Sequence, residues 1–227
     1  MSLELVYFDL AGKGEPIRLA AAFAGIELKD TRINRDTLVK MKEDGRLRYG
    51  QVPALIVDDG KVVINQSNAI LRYLGRAAAP ADKIYPSDPA AASLVDSILD
   101  AEIDLFAGLT CSKYKVRFGY GILEDREDSE ELLGLVRKSL NDEVLPRHLG
   151  NLEKLMENST TGWIADTANP SIADFVLVPR LQWLADFGEG ISPDILQPYT
   201  KLTAMMNRFM ELPEIVAYYG NKKSTEN

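Results

Sequence analysis

The sequence predicts a mixed α/β domain followed by an all-α helical domain, within one chain of 227 residues. Residues 1–75 alternate between strand-like and helix-like patterns, and the remainder shows helical periodicity. Residues 77–89 between them are rich in proline and small residues, as linkers are. We expect an α/β domain over 1–80, a linker over 81–88, a helical domain over 89–220 and a frayed polar tail over 221–227.

The first domain is predicted to be a βαβ unit followed by a ββα unit. The pattern indicates a strand over 3–8, a helix over about 15–25 and a short strand over 29–33, followed by an irregular segment. A hairpin comes next, with strands over 54–57 and 61–64 around a tight Asp-Asp-Gly turn.

Val52 and Pro53 precede the first hairpin strand. Proline enters a sheet at an edge or at the start of a strand, so this strand is expected to keep one unpaired margin that an extended ligand can pair with. X-Pro is also the bond where a cis peptide is tolerated.

The last helix of the first domain is expected to begin at residues 65–67, with Gln66 and Ser67 at its start. The free N–H groups of a helix start, with the positive end of its dipole, form a cradle for a carboxylate or a phosphate. The alternative is a capped helix that binds nothing at this place. The residue pattern alone leaves both readings open.

The helical domain is expected to start with Ser87 or Asp88 as the cap and Pro89 at the first helical position. A buried stripe is predicted on this first helix, formed by Leu94, Ile98, Ala101 and Leu105. A second helix is predicted over about 129–156, with a break around Pro146. Further on, Ser171 and Asp174 have the spacing of a capping box before an apolar helix.

Composition excludes several classes of function. A net charge of −8 and a pI of about 4.8 argue against nucleic-acid binding, and the basic-aromatic stretch 113–118 is read as a solvated helix face. The single Cys111 excludes an internal disulfide, and with the single His148 leaves too few ligands for zinc. Without a secretory signal pattern or an apolar run of membrane-spanning length, the chain is expected to be soluble and cytoplasmic.

Two segments carry a resemblance to a known family. Residues 51–55, the Asp-Asp-Gly turn and residues 65–74 resemble the glutathione-binding motif of cytosolic glutathione transferases. Residues 7–18 resemble the catalytic tyrosine segment of the sigma-like branch. The likeness covers essentially the whole chain. It implies a thioredoxin-like first domain, a homodimer, and reduced glutathione as cosubstrate with neither a metal nor an organic cofactor.

The resemblance assigns catalysis to Tyr7, whose hydroxyl would hydrogen-bond the glutathione sulfur and favour the thiolate. A free thiol with a pKa of about 8.5 is roughly 3% ionised at pH 7, and a downward shift of about two units makes it about three-quarters ionised. Because the nucleophile belongs to the cosubstrate, the protein needs no reactive cysteine. None of residues 1–110 is cysteine, which disfavours the cysteine-type branches.

The resemblance also implies a receptor for each part of glutathione. Val52, before Pro53, would pair with the cysteinyl unit through its backbone. The other implied ligands are Gln66 and Ser67 for the γ-glutamyl end, Gln51 and Lys42 for the glycine carboxylate, Lys13 near the thiol, and Asp104 reaching across from the partner subunit. The chain departs from the family pattern at Lys13, where an arginine is common, and at Leu38, the nearest candidate for a common tryptophan.

The second substrate is expected in an apolar cleft between the domains. Its predicted wall residues are Phe8, Leu10, Phe106, Thr110 and Tyr114, each with plain core packing as the alternative. Cys111 is read as a small buried hydrophobe and Arg18 as a structural ion-pair partner. Asp96, Asp100 and Asp104 form one column of like charge, for which a solvated face is the plain interpretation and a cation site the weaker one.

Three functions remain open at this point. The first is conjugation of the glutathione thiolate to hydrophobic electrophiles in detoxification. The second is a glutathione-dependent isomerase or peroxidase acting on prostaglandin or lipid peroxides. The third is a ligand-binding or structural relative without turnover, which the intact Tyr7 and Gln66-Ser67 disfavour. The identity of the electrophile does not follow from the sequence.

Overall fold

The computed structural model describes the backbone of residues 1–225 and the side chains of residues 1–221. Within this range the strands form one mixed sheet, in the order β2-β1-β3-β4. The strands are β1 (Leu3–Phe8), β2 (Lys29–Ile33), β3 (Ala54–Val57) and β4 (Val62–Asn65). β1 is parallel to β2 and antiparallel to β3, and β3 is antiparallel to β4.

Helices cover both faces of this sheet. α1 (Glu15–Ala24) and α3 (Ser67–Ala77) pack on one face, where Leu5 and Leu55 join the main core. On the opposite face Val6 and Ala54 pack in a smaller cluster with Met41. Adjacent strand residues point to opposite faces, so β1 and β3 serve both clusters. The first domain therefore has the predicted thioredoxin-like architecture.

One predicted irregular segment is a helix. Residues 35–43 form α2 (Arg35–Glu43), which supplies Met41 to the smaller cluster. Asn34 caps it, because its side chain accepts a hydrogen bond from the backbone N–H of Thr37 at 2.9 Å. The prediction of irregular structure was wrong here because the helix buries little apolar surface and its periodicity is weak.

The prediction of an unpaired margin along β3 was also wrong. β3 is a central strand: Ala54 to Val57 pair with β1 on one side and with β4 on the other. Pro53 stands before the first paired residue, so it removes no ladder hydrogen bond. The Val52-Pro53 peptide bond is cis, as predicted.

The second domain is all helical. Its helices are α4 (Pro89–Lys113), α5 (Ser129–Ser139), α6 (Leu145–Asn158), α7 (Ile172–Ala185), α8 (Thr200–Met210) and α9 (Pro213–Thr225). Asp88 caps α4 by accepting a hydrogen bond from the backbone N–H of Ala91 at 2.8 Å, as predicted for this position. Of the predicted frayed tail, residues 226 and 227 lie outside the described residues.

Two predictions about these helices need correction. Leu94 does not belong to a buried stripe: it is 61% exposed, whereas Ile98 and Leu105 of the same helix are buried. The break predicted around Pro146 is a π-helical turn over Leu140–Val144, in which the N–H of Leu145 bonds to the carbonyl of Leu140 five residues back. Pro146 lacks an N–H and is the second residue of α6, so the wide turn precedes it.

The predicted capping box at the start of α7 is present. Asp174 is fully buried and accepts hydrogen bonds from the backbone N–H groups of Ile164 (3.0 Å) and Ser171 (2.8 Å) and from the Ser171 hydroxyl (3.0 Å). Burial raises the pKa of this carboxyl to about 6 against the opposing effect of those hydrogen bonds. The box therefore fixes the start of a helix whose residues from Ile172 to Val178 are all buried.

The two domains are joined by buried and half-buried contacts. Arg72 of α3 forms an ion pair with Asp96 of α4 at 2.7 Å, and the hydroxyl of Tyr85 donates to the same carboxylate at 3.0 Å. The N–H of Ile172 bonds to the carbonyl of Ile84 at 2.8 Å. No helix within residues 1–225 is both long and apolar enough to cross a membrane.

Candidate active site

Three sequence-predicted segments meet at one edge of the sheet. Tyr7 lies near the end of β1, and the antiparallel register places Ala54, the first residue of β3, opposite Val6. The same register places Asn65, the last residue of β4, opposite Ala54. Val52, which precedes β3, and Gln66, which follows β4, therefore lie at the same edge of the sheet as Tyr7. Residues that are far apart in sequence are brought together by the strand order.

Tyr7 is buried except for 8% of its surface, and its hydroxyl oxygen accepts a hydrogen bond from the backbone N–H of Lys13 at 3.0 Å. Burial raises the pKa of the phenol; the Lys13 N–H and the charges of Arg18 and Arg117 oppose this effect, and Tyr114 reinforces it. A phenol with a raised pKa keeps its proton at neutral pH. Tyr7 is thus available as a hydrogen-bond donor.

Two glycines allow the backbone to approach the Tyr7 ring. A Cβ at Gly12 would lie 2.6 Å from the Tyr7 hydroxyl oxygen, and Gly12 has a positive φ of 40°. A Cβ at Gly14 would lie 2.5 Å from Cδ1 of the ring. Only glycine leaves this space without a shift of its neighbours. The turn between β1 and α1 is therefore built around the Tyr7 side chain.

Arg18 stabilises this turn through ion pairs and a hydrogen bond. Its buried guanidinium pairs with Glu15 at 3.2 Å and Asp30 at 2.9 Å, and donates to the carbonyl of Leu10 at 3.0 Å. The same group lies 5.7 Å from the centroid of the Tyr7 ring. The prediction that Arg18 is a structural ion-pair partner is confirmed.

The Lys13 side chain is exposed, and Glu102, Arg180 and Arg117 of the helical domain lie within electrostatic range of its ammonium. The surrounding protein lowers the pKa of its ammonium by desolvation; Glu102 opposes this shift, and Arg180 and Arg117 add to it. Glu102 and Arg180 form an ion pair of their own at 2.8 Å. Lys13 makes no ion pair with a described residue, and the group that contacts the Tyr7 hydroxyl is its backbone N–H rather than its ammonium.

The backbone around Val52 and Gln66 has unpaired hydrogen-bonding groups that a peptide ligand could use. Within the described chain the N–H and C=O of Val52 have no hydrogen-bond partner. Gln66 precedes α3 with a φ of 73°, a rare conformation for a residue with a side chain. The predicted side-chain cap is absent, because no side chain bonds to the first N–H groups of α3. Strained backbone of this kind clusters at ligand-binding positions.

Gln51 connects the sheet edge to the helical domain. Its carbonyl accepts a hydrogen bond from the Asn65 side chain at 3.3 Å, and its side-chain oxygen accepts one from Arg117 at 2.9 Å. The Lys42 side chain runs beside Gly50, 3.7 Å from where a Cβ would stand. Leu38 packs against the smaller cluster. Sequence reasoning missed Arg117, and only its place in a basic-aromatic stretch could have drawn attention to it.

The predicted wall residues differ in accessibility. Leu10 and Tyr114 are half exposed, at 51% and 50%, whereas Phe106 is buried under the Arg180 guanidinium, which lies 4.0 Å from its ring centroid. Phe8 and Thr110 are half-buried. Phe106 therefore offers no open surface to a ligand, and the Arg180 guanidinium covers its ring. Arg180 has no pattern around it that would have predicted this place.

The aspartate column does not form a cation site. Asp96 is taken by the ion pair with Arg72, so a solvated face is the wrong reading for that residue. Asp100 and Asp104 are exposed on α4. Among the described residues no group of His, Cys, Asp or Glu has the arrangement of a metal site. Cys111 is half-buried rather than buried.

A cavity of about 790 Å³ lies away from Tyr7, on the face of the sheet that α2 covers. Its floor includes Met41, Ala54 and Ile56, and Arg46 and Arg48 stand at its rim. None of the predicted site residues lines it. The candidate active site is accordingly the sheet edge at Tyr7, Val52 and Gln66 and not this cavity.

Comparison with known proteins agrees with the fold and the site. The family model described as glutathione S-transferase, N-terminal domain matches residues 3–76, and the one described as glutathione S-transferase, C-terminal domain matches residues 119–222. Glutathione S-transferase 1 of Ascaris suum is 32% identical over 98% of this chain and 97% of its own length.

Solved structures show the same likeness. The glutathione S-transferase of Ascaris lumbricoides superposes with a TM-score of 0.74 at 30% identity, covering 97% of each chain. A structure described as prostaglandin synthase D of Nilaparvata lugens superposes with a TM-score of 0.76 at 25% identity, covering 97% of this chain and 98% of that one. The chain therefore belongs to the cytosolic glutathione S-transferase family and is a glutathione transferase.

Proposed function

We propose that this chain conjugates the thiolate of reduced glutathione to hydrophobic electrophiles, as a sigma-like transferase acting in cytoplasmic detoxification. The observation that carries the proposal is the Tyr7 hydroxyl, held at 3.0 Å by the Lys13 N–H at the edge where Val52 and Gln66 also stand. The oxygen accepts from Lys13, and its own proton is free to donate to sulfur. No metal or organic cofactor takes part.

The open backbone groups support a specific placement of glutathione. Val52, before the cis Pro53, pairs with the cysteinyl backbone by strand addition. The γ-glutamyl carboxylate binds at the uncapped start of α3, at Gln66 and Ser67. This placement carries the sulfur to the Tyr7 side of the edge. Gln51 and Lys42 then face the glycine carboxylate.

Lys13 supports the thiolate electrostatically. A lysine in place of the arginine that sigma-like members carry keeps the positive charge and loses the planar fork of donors. The Lys13 side chain is exposed, so solvent screens its charge and its electrostatic support of the thiolate is modest. The hydrophobic electrophile occupies the cleft between Leu10 and Tyr114, with Phe8 and Thr110 deeper.

A homodimer completes the site in this proposal. On α4 the apolar side chain of Ile103, next to Asp104 in sequence, is 51% exposed, and a partner subunit would bury it. Asp104 is exposed on the same helix and reaches the glutathione ammonium of the other subunit. Each cleft is then finished by a residue of the neighbouring protomer.

A second activity is isomerisation of a prostaglandin endoperoxide with the same thiolate. The likeness to the structure described as a prostaglandin synthase favours it as the alternative. Both activities need Tyr7 and differ in the second substrate. Lipid-peroxide reduction belongs to the same group of reactions.

Rates of aryl-halide conjugation, hydroperoxide reduction and endoperoxide isomerisation, measured on one preparation, test the proposal. We expect conjugation to be saturable in glutathione and to exceed the uncatalysed rate. Glutathione binding without conjugation, together with rapid endoperoxide turnover, would transfer the assignment to the isomerase. Binding with none of the three activities would leave the non-catalytic carrier.

A further inference from the structure

Arg117 is a cation of the helical domain that lies against the glutathione-binding edge of the first domain. It belongs to the 3₁₀ turn Lys115–Phe118, which follows α4 directly. One of its Nη atoms donates to the side-chain oxygen of Gln51 at 2.9 Å, across 66 positions in sequence. The two domains therefore meet at this hydrogen bond, one residue before Val52.

The remaining donors of this guanidinium are available. Arg117 forms no ion pair with a described residue, and its other N–H groups make no hydrogen bond there. The neighbouring cations are neutralised: Lys115 pairs with Glu124 at 3.8 Å, and Lys113 pairs with Glu189 at 3.1 Å. A fork with free donors matches a carboxylate.

The charge of Arg117 reaches into the cleft. Burial raises the pKa of Tyr7 and desolvation lowers the pKa of Lys13; the charge of Arg117 opposes the first shift and adds to the second. The guanidinium therefore lies within electrostatic range of the Tyr7 hydroxyl and the Lys13 ammonium. The net charge of the chain is −8, so an arginine beside this site without a carboxylate partner among the described residues is unusual for so acidic a protein.

The direction of the bound tripeptide decides which part of glutathione meets this charge. If the γ-glutamyl end is at Gln66 and Ser67 and the cysteinyl backbone is at Val52, the glycine lies on the opposite side of the cysteinyl unit from α3. That is the side of Gln51, whose carbonyl Asn65 holds at 3.3 Å and whose side chain holds Arg117.

We propose that Arg117 binds the glycine carboxylate of glutathione, with Gln51 orienting its guanidinium. This proposal rests on the proposed binding of glutathione at the sheet edge. It makes the helical domain a participant in recognising the cosubstrate as well as the electrophile. The glycine carboxylate then links Arg117 of the helical domain to the glutathione-binding residues of the first domain.

The test compares glutathione with γ-glutamylcysteine, which lacks the glycine, by calorimetric dissociation constants for wild type and Arg117→Gln. We expect Arg117→Gln to weaken glutathione about three- to fivefold, since it removes a charge-assisted contact at an exposed side chain. We expect γ-glutamylcysteine to bind both proteins within about twofold. Arg117→Lys, which keeps the charge without the fork, should fall between them.

Arg126→Gln is the matched control, since Arg126 lies in the same segment, is exposed and pairs with Asp128 at 2.6 Å. It should bind both ligands as wild type does, and all variants should retain the wild-type thermal midpoint. Unchanged glutathione affinity in Arg117→Gln, or an equal loss for both ligands, overturns the inference while the proposed function stands. Failure of wild type to bind glutathione overturns both.

Discussion

The backbone N–H of Lys13 donates a hydrogen bond to the hydroxyl oxygen of Tyr7 at 3.0 Å. This bond fixes the direction of the phenol because a hydroxyl that accepts from one side donates from another. It comes from the main chain, so it survives substitution of Lys13 by any residue other than proline, which has no backbone N–H. The contributions of the phenol and of the lysine charge can therefore be measured separately.

Removal of the Lys13 charge should raise the pKa of the glutathione thiol in the complex by about 0.5–1 unit, because a nearby cation stabilises the thiolate. Lys13→Ala tests the charge, and Lys13→Arg should restore or exceed the wild-type value. The thiolate absorbance of the complex, followed against pH, gives the number. Lys29→Ala on β2, where Lys29 is exposed and pairs with Glu4, is the control. An unchanged pKa in Lys13→Ala contradicts the role.

Gly14→Ala should reduce conjugation at least about tenfold. The backbone of Gly14 has φ −82° and ψ −30°, which alanine adopts freely, so the effect comes from the Cβ that would lie 2.5 Å from the Tyr7 ring. Gly134→Ala is the matched control, since nothing lies within 4 Å of its Cβ position in α5. It should stabilise the fold by about 0.5–1 kcal/mol with activity unchanged. Undiminished conjugation in Gly14→Ala would show that the Tyr7 position is not critical.

Asp104→Ala should weaken glutathione binding about three- to fivefold without changing the thermal midpoint, because it removes an exposed charge that completes the partner's site. Asp100→Ala, one turn earlier on the exposed face of α4, should bind as wild type. Sedimentation should show a dimer. A monomer that binds glutathione with equal affinity in wild type and Asp104→Ala removes both the dimer and Asp104 from the site.

Asp174→Ala should lower the free energy of unfolding by about 2–4 kcal/mol, because it leaves the buried N–H groups of Ile164 and Ser171 without acceptors. Denaturant unfolding at pH 7 measures the loss. Asp186→Ala, at the exposed end of the same helix, should change it by less than about 0.5 kcal/mol. Equal effects of the two substitutions would remove the capping box from the explanation.

The same carboxyl should make stability depend on pH. The pKa of Asp174 is raised to about 6 in the folded protein, so the folded state binds the proton more tightly than the unfolded state does. Its stabilising contribution is therefore full below about pH 4 and is lost as the pH rises through about 6. The difference in unfolding free energy between wild type and Asp174→Ala should fall by up to about 3 kcal/mol between pH 4 and pH 7. A difference that grows over this range contradicts the shift.

The sequence predicted the features that local chemistry determines. The capping box at Ser171 and Asp174, the Asp88 cap and the strand 3–8 depend on neighbouring residues, and all three are present. The helix α2 was missed, although Asn34 three residues before Thr37 is a usable cap signal. Its apolar face is too narrow for periodicity to show.

Other features depend on contacts that no local pattern contains. The periodicity of α4 predicted an apolar stripe, but it does not distinguish the buried Ile98 from the exposed Leu94. Asp96 bonds to Arg72, which is 24 positions away in sequence, and Arg117 bonds to Gln51, which is 66 positions away. β3 is a central strand because β1 pairs with one side of it and β4 with the other. This spatial order of the strands does not follow from their order along the chain.

The pKa of the glutathione thiol in the complex is the most direct measure of what Tyr7 does. If the phenol donates to the sulfur, the thiolate absorbance of wild type should titrate about two units below the value of about 8.5 for a free thiol. That of Tyr7→Phe should titrate within about one unit of the free value, since the Lys13 charge is still present. The dissociation constant of glutathione should change little. Identical thiol pKa values in wild type and Tyr7→Phe would contradict the assignment of Tyr7 as the residue that activates glutathione.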